Sequence, residues 1–320
     1  MSQIRSVAVI CGGVGAARFL RGLVEVVEPA EITAIVNVAD DTVLHGLSIS
    51  PDIDTVIYTL ADQIDPERGW GLRDETWRAM ESLATYGDGA WFSLGDRDLG
   101  THLHRTSRLA EGIPLREVTR EIATAHGVRV QVEPVSNDRI QTKLQLPDQS
   151  WLSFQEYFVG RQHDVEIAAV EFVGIEQAVP TPTTIDALQG ADLVVLAPSN
   201  PIVSLGPVLQ VPGVREILTS RQKPTIAISP IIAGKALKGP AARMLNELGH
   251  ASSALGVARL YQGLINGFVL DDADASAEAA IRRLGITPSI TNTIMSRPSG
   301  GPLLASHVLS FSATLTQTRR

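Results

Sequence analysis

The feature that most constrains the fold lies near the start of the chain. There the apolar run Val7-Ala8-Val9-Ile10-Cys11 meets Gly12, Gly13 and Gly15, and Phe19, Leu20 and Leu23 then follow at helical spacing. This pattern predicts a strand, a tight turn and a helix. Such a turn can be an anion site, because glycines let the main chain approach a ligand and the free N–H groups of the helix start face negative charge. The same glycines also suit a turn that only packs a helix closely on a strand. A nucleotide-hydrolase loop would carry Lys followed by Ser or Thr, and a dinucleotide fingerprint would carry a third glycine where Arg18 stands. The loop matches neither.

Residues 31–38 form a β-branched apolar run ending in Asn37, Asp40 and Asp41. Residues 193–197 and 225–228 are similar runs that stop at Pro198-Ser199-Asn200-Pro201 and at Ser229-Pro230. Uninterrupted apolar strands belong to a parallel sheet covered on both faces, where loops at the carboxyl ends of strands carry the ligand chemistry. The expected fold is α/β and Rossmann-like, a mostly parallel sheet flanked by helices. From about residue 65 the pattern changes to charged helices with Trp70, Trp77 and Trp91, then to alternating strands at 128–134 and 143–146. Residues 1–64 and 165–320 are therefore expected to form the nucleotide-binding core, and 65–164 an inserted, mainly helical region with a small β segment on the acceptor side. The end, 316–320, is expected to fray.

With 320 residues and 44% hydrophobic content, the chain can bury a core as one large domain or two. A net charge of −8 disfavours nucleic acid, whose grip comes from many Lys and Arg contacts to phosphates. No apolar run is long enough to span a bilayer. The lone Cys11 and the lack of a leader pattern point to a cytoplasmic protein.

An acidic chain that handles an anion needs local cations. Asp40, Asp41, Asp52 and Asp54 fall between a strand end and a helix start. Carboxylates beside phosphate repel it unless a hard cation intervenes, which suggests magnesium, with manganese as the alternative ion. Helix capping or solvated loop charge would account for any one of them. Asp96, Arg97 and Asp98 precede Thr101, His102 and Arg105. The arginines suit a bidentate grip on phosphate or carboxylate and His102 suits proton transfer, although a surface salt-bridge network has the same composition. Ser199, Asn200, Ser229 and Pro230 offer groups for a base or ribose, as turns in general do.

Taken in order, the segments CGGVGAARFLRGL, VNVADD, SPDIDTVIYTLADQIDPERGWG, LGDRDLGTHLHR, FQEYFVG, APSNPIVSLGPVL and ISPIIAGKALKGPA resemble one family. It is the 2-phospho-L-lactate transferase family, which builds the deazaflavin coenzyme F-420 from its precursor Fo. The resemblance implies a guanosine diphospho-acid donor, transfer of the phospho-acid to the terminal ribityl hydroxyl of Fo, release of GMP, a need for magnesium, and a homodimer. It implies that Gly12, Gly13 and Gly15 cradle the diphosphate and that Asp40, Asp52 and Asp54 hold or orient the metal. Asp52, Asp54, Arg97 and His102 would be the catalytic group, with Asp96, Thr101 and Arg105 around Fo. Ser199, Asn200, Ser204, Ser229 and Pro230 would line the guanosine side. The acid could be lactate, enolpyruvate or glycerate.

One position departs from the family pattern: Asn137 stands in a segment that commonly holds two acidic residues. The alternative reading is a YvcK-type nucleotide-sugar-binding regulatory protein, against which the GDRDLGTHLHR and FQEYFV segments weigh. Arg18 weighs against an NAD-dependent oxidoreductase.

Overall fold

Seven strands pair into one sheet in the computed structural model, which describes residues 4–87 and 91–317. They are β1 (Val7–Cys11), β2 (Ile32–Val36), β3 (Gln131–Pro134), β4 (Leu193–Leu196), β5 (Thr225–Ile228), β6 (Gly267–Leu270) and β7 (Thr287–Ile290). Their order is β3-β2-β1-β4-β5-β6-β7, and every neighbouring pair is parallel. Val9, for example, lies opposite Ala34 on one side and Val195 on the other. β1, β4, β5 and β6 are buried along their whole length, as expected of a sheet with both faces covered. The order runs outward in two directions from β1 and β4, the doubly wound arrangement whose ligand crevice opens at the reversal.

Five helices matter for the site: α1 (Gly13–Leu23), α2 (Pro51–Leu60), α3 (Asp98–Ala110), α4 (Leu115–Ala125) and α5 (Gly300–Gln317). α1 buries Phe19, Leu20 and Leu23 and packs against both α2 and α5. At the α1–α5 contact a Cβ on Gly22 would fall 2.3 Å from the Gly301 carbonyl carbon, so the two helices touch backbone to backbone. Helical order continues through Gln317, and the rest of the end expected to fray, 318–320, lies outside the described residues.

The segment 65–164 is joined to the core more tightly than an insertion need be. Its strand β3 pairs with β2, Ala34 opposite Val132, and so supplies an edge of the main sheet. Val118, Ile122 and Val132 share the main hydrophobic core. Beyond β3, Gln141–Gln145, Trp151–Ser153 and Ala169–Val173 form a separate antiparallel sheet with its own small core around Leu144, Tyr157 and Ile167.

Alanine at Gly22 would recover glycine's helix-interior penalty of about 1 kcal/mol. The collision with Gly301 outweighs it, so Gly22→Ala is expected to lower net stability by about 1–2 kcal/mol, read from the urea unfolding midpoint.

Candidate active site

The turn after β1 and the turn after β4 meet at the crevice. A Cβ on Gly15 would sit 2.3 Å from the Pro198 carbonyl oxygen, and one on Gly12 would sit 2.6 Å from Asp52 Oδ2 and 3.1 Å from Ser204 Cβ. Close approach therefore requires glycine at both positions. Gly13 starts α1 with φ +71°, and its N–H donates to Asp52 Oδ1 at 2.8 Å. One of the chain's own carboxylates thus stands at the positive end of α1, where it is electrostatically favoured.

Asn37, just past the end of β2, organises the carboxylates. Its Nδ2 donates to Asp52 Oδ2 at 3.0 Å and to Asp40 Oδ2 at 3.1 Å, while its own carbonyl is held by the Ala39 N–H. The insertion braces the same turn: Gln155 Nε2 donates to the Asp40 carbonyl and Thr142 N–H to the Ala39 carbonyl. Burial raises the pKa of Asp40 well above the usual carboxylate range, and the neighbouring Asp52 adds to this. Asp52 is pushed up to about 6 by burial, against the opposing hydrogen bonds from Asn37 and Gly13. Asp41 is also raised by burial, although the Ser50 hydroxyl donates to it. One oxygen each of Asp40 and Asp41 is buried without a well-formed hydrogen bond, although the Thr142 hydroxyl stands by Asp40 and lowers its pKa.

Asp54 points elsewhere. Both of its oxygens are taken by Arg105, a fully buried guanidinium on α3, with Nη1–Oδ2 at 3.0 Å and Nη2–Oδ1 closing the fork. Arg105 Nη1 also lies 3.3 Å from His102 Nδ1. A guanidinium has only donors, so Nδ1 is the acceptor and the proton sits on Nε2, which faces Asp98 Oδ2 at 3.5 Å. The Tyr58 hydroxyl bridges Asp98 and Thr101, at 2.6 and 2.8 Å. Burial alone would raise Asp98, but His102, Tyr58 and Arg105 together hold it below the usual range. Asp54, Asp98 and His102 can each offer an atom within 4.8 Å of the others, as a metal would need. Arg105 already supplies positive charge there.

The other expected site residues have local partners. Asp96 accepts the N–H groups of Arg78 and Ala79 and so caps the helix Arg78–Ala84. Arg97 is exposed, and its guanidinium donates to the Arg73 carbonyl at 2.7 Å. Asn137 accepts the Arg116 N–H at 2.9 Å, a capping bond at the start of α4. Asn200 accepts from Ile202 N–H, and Ser229 closes a turn with Ile231. Pro230, beside it, is half-buried. Ser199 is buried with its hydroxyl unpartnered.

The structure thus brings Gly12, Gly13, Asp40, Asp52 and Ser204 together, and separately Asp54, Thr101, His102 and Arg105. Asn37, Tyr58, Asp98 and Gln155 complete these groups without having been singled out as site residues. Asn37 and Asp98 had visible signals, the first at the end of an apolar strand and the second in the acidic pair before His102.

Replacing Arg105 with Met leaves Asp54 buried and unpaired, which is expected to cost about 3–5 kcal/mol in urea unfolding. Adding Asp54→Asn should recover part of that loss. The raised Asp52 pKa fixes a pH trend as well. The folded state holds this proton more tightly than the unfolded chain, whose carboxylate titrates near 3.8. Its stabilising effect is therefore complete below that value and is lost as pH rises through about 6. In EDTA the urea midpoint of the wild type should fall over this window more steeply than that of Asp52→Asn.

Residues 7–286 match the model of the family described as 2-phospho-L-lactate transferase CofD. A phosphoenolpyruvate transferase of Streptomyces griseus is 42% identical over 285 residues, covering 88% of this chain and 90% of that protein. Its namesake in Mycolicibacterium smegmatis is 42% identical over 288 residues, covering 84% and 88%. Among solved structures, a UPF0052-family protein of Bacillus halodurans superposes with a TM-score of 0.67 at 18% identity, over 97% of this chain and 100% of that one, which shows the shared fold. The family is one of phospho-acid transferases and is generally metal-dependent. The match favours that chemistry over a nucleotide-sugar-binding regulator or an NAD-dependent oxidoreductase. Across residues 7–286, from β1 to just before β7, this chain belongs to the 2-phospho-L-lactate transferase family of coenzyme F-420 biosynthesis.

Proposed function

We propose that the acid transferred is enolpyruvate. The donor is then a guanosine diphospho-enolpyruvate, the acceptor is the terminal ribityl hydroxyl of Fo, and GMP is released. The names of the 42% identical relatives support the choice of acid. The observation that carries the site is the convergence of the Gly13 N–H, Asp52 and the half-satisfied Asp40 on the crevice between β1 and β4.

In this reading the hydroxyl oxygen of Fo bonds to the phosphorus that bears the acid. The bond from that phosphorus to the bridging oxygen breaks, and GMP leaves with the electron pair. A loose phosphoryl transition state needs alignment and charge neutralisation more than a strong base. Asp52, a carboxylate at the crevice beside the glycine turn, is suited to take the hydroxyl proton late in the step. Arg105 and Asp54 act at one remove by fixing α2, while His102, neutral at Nδ1, positions Asp98.

The donor set suits a hard divalent ion. Asp40 and Asp52 offer only oxygens, and Asp40 Oδ1 is buried without a well-formed hydrogen bond, with only the Thr142 hydroxyl beside that carboxylate. These two residues would hold magnesium, or manganese in its place, and the ion would supply charge neutralisation to the phosphoryl oxygens. The buried Ser199 hydroxyl and the turns at Asn200 and Ser229-Pro230 serve the guanosine side. A homodimer and a cytoplasmic setting complete the reading. No helix among the described residues is long and apolar enough to cross a membrane.

The test is to incubate the protein with Fo, magnesium and each of the lactyl, enolpyruvyl and glyceryl donors, and to follow adduct and GMP by mass spectrometry. The enolpyruvyl donor should turn over fastest. Asp52→Asn should lower kcat by about 100-fold or more. No adduct with any donor would remove the reading, and a faster lactyl donor would change the acid.

A further inference from the structure

The glycine turn lacks the lysine that phosphate loops of nucleotide hydrolases carry, and the carboxylates around it are poorly neutralised. Of the cations near it, Arg105 is committed to Asp54. Arg68 donates to Asp65 Oδ2 at 2.8 Å, and its guanidinium lies over the rings of Trp70 and Trp77, 5.1 and 5.0 Å from their centroids. Lys238 is different.

It follows a small hairpin beyond β5, in which Ile231 pairs with Ala236 and Ile232 with Lys235. The two residues between, Ala233 and Gly234, have φ of +48° and +78°, the signs of a tight turn matched to strand twist. The hairpin is anchored through Ala233 N–H to Asp274 and through the Ser252 hydroxyl to the Gly234 carbonyl. Its exit brings the Lys238 ammonium to the start of α1. A methyl group placed on Gly69 would stand 3.5 Å from Lys238 Nζ and 3.2 Å from Cγ1 of Val14, the second residue of α1. Lys238 is exposed, and among the described residues its ammonium has no hydrogen-bond or ion-pair partner.

We propose that Lys238 binds the diphosphate of the donor at the glycine turn, supplying from a separate segment the charge that the turn itself lacks. This rests on the transferase reading above. A flexible ammonium suits the role, since it meets phosphate oxygens as a compact charge without a fixed geometry. The position also makes chemical sense beside Asp40 and Asp52. The buried Asp40 oxygen that lacks a well-formed hydrogen bond suits the metal side of the site, and the exposed Lys238 near Val14 would meet the diphosphate at the start of α1.

The experiment is calorimetric titration of the whole protein, with magnesium, using GDP, GMP and guanosine as probes, for the wild type, Lys238→Gln and Lys238→Arg. Loss of one charge-assisted contact should weaken GDP by about 10- to 100-fold in Lys238→Gln. GMP should weaken less and guanosine should be unchanged, with Lys238→Arg recovering most of the loss. The urea midpoints of both variants should equal the wild type's, because the side chain has no internal partner. GDP affinity within about twofold of wild type in Lys238→Gln, or an equal loss for guanosine and GDP, overturns the proposal. If the wild type transfers the phospho-acid while Lys238→Gln binds GDP normally, only Lys238 is excluded. If the wild type neither transfers nor binds GDP, the reading of the site fails with it.

Discussion

The pairing of Arg105 with Asp54 is the constraint on which the site depends. It joins α3, from the insertion, to α2, from the core, through a buried fork. Asp52 and Asp54 are two residues apart on α2, so the helix turns them about 200° from one another. Holding Asp54 against Arg105 therefore sets the rotation of α2 and turns Asp52 toward Gly13 and Asn37. A buried ion pair of this kind adds little net stability once desolvation is counted, but it makes any other arrangement expensive. Its value here is geometric.

The same pair also explains the remaining charge imbalance. Of the carboxylates of Asp40, Asp41, Asp52 and Asp54, the Arg105 guanidinium is forked on the last and acts to lower the pKa of only Asp41 among the other three. The other three have their pKa values raised by burial. A cluster poised in this way gains most from a divalent cation and an anion arriving together, because each offsets the repulsion the other would meet alone. Asn37 keeps the two nearest carboxylates in register by donating to both from one nitrogen.

The central strands were legible because burial on both faces leaves a run with no polar interruption, as in β1, β4 and β5. β3 was harder to place. Its residues alternate, and Gln131 is exposed, as suits the edge of a sheet. Alternation identified a strand but not the sheet it joins. The carboxylates show a similar division. Their position after a strand end was readable, whereas the separation of Asp52 from Asp54 depends on a partner about fifty residues further along. Asp96 caps a helix that begins 18 residues before it, and Asn137 caps one that begins 22 residues before it at Leu115. Neither bond has a local signature, so residue type alone suggested chemistry where the fold uses hydrogen bonding.

The strand order is that of a dinucleotide-binding fold, and the glycine turn differs from one for a structural reason. In the dinucleotide fingerprint the third glycine allows close helix–strand packing. Here Arg18 takes its place, and close approach serves other neighbours: Gly15 admits the Pro198 carbonyl and Gly22 admits the backbone of α5. The first turn of α1 is thereby pressed toward the β4 turn while Asp52 takes the Gly13 N–H. With part of the helix's own anion-binding capacity engaged by a carboxylate, charge for an incoming diphosphate has to come from outside the turn. That requirement is what the proposed metal at Asp40 and Asp52 and the proposed contact from the exposed Lys238 would meet.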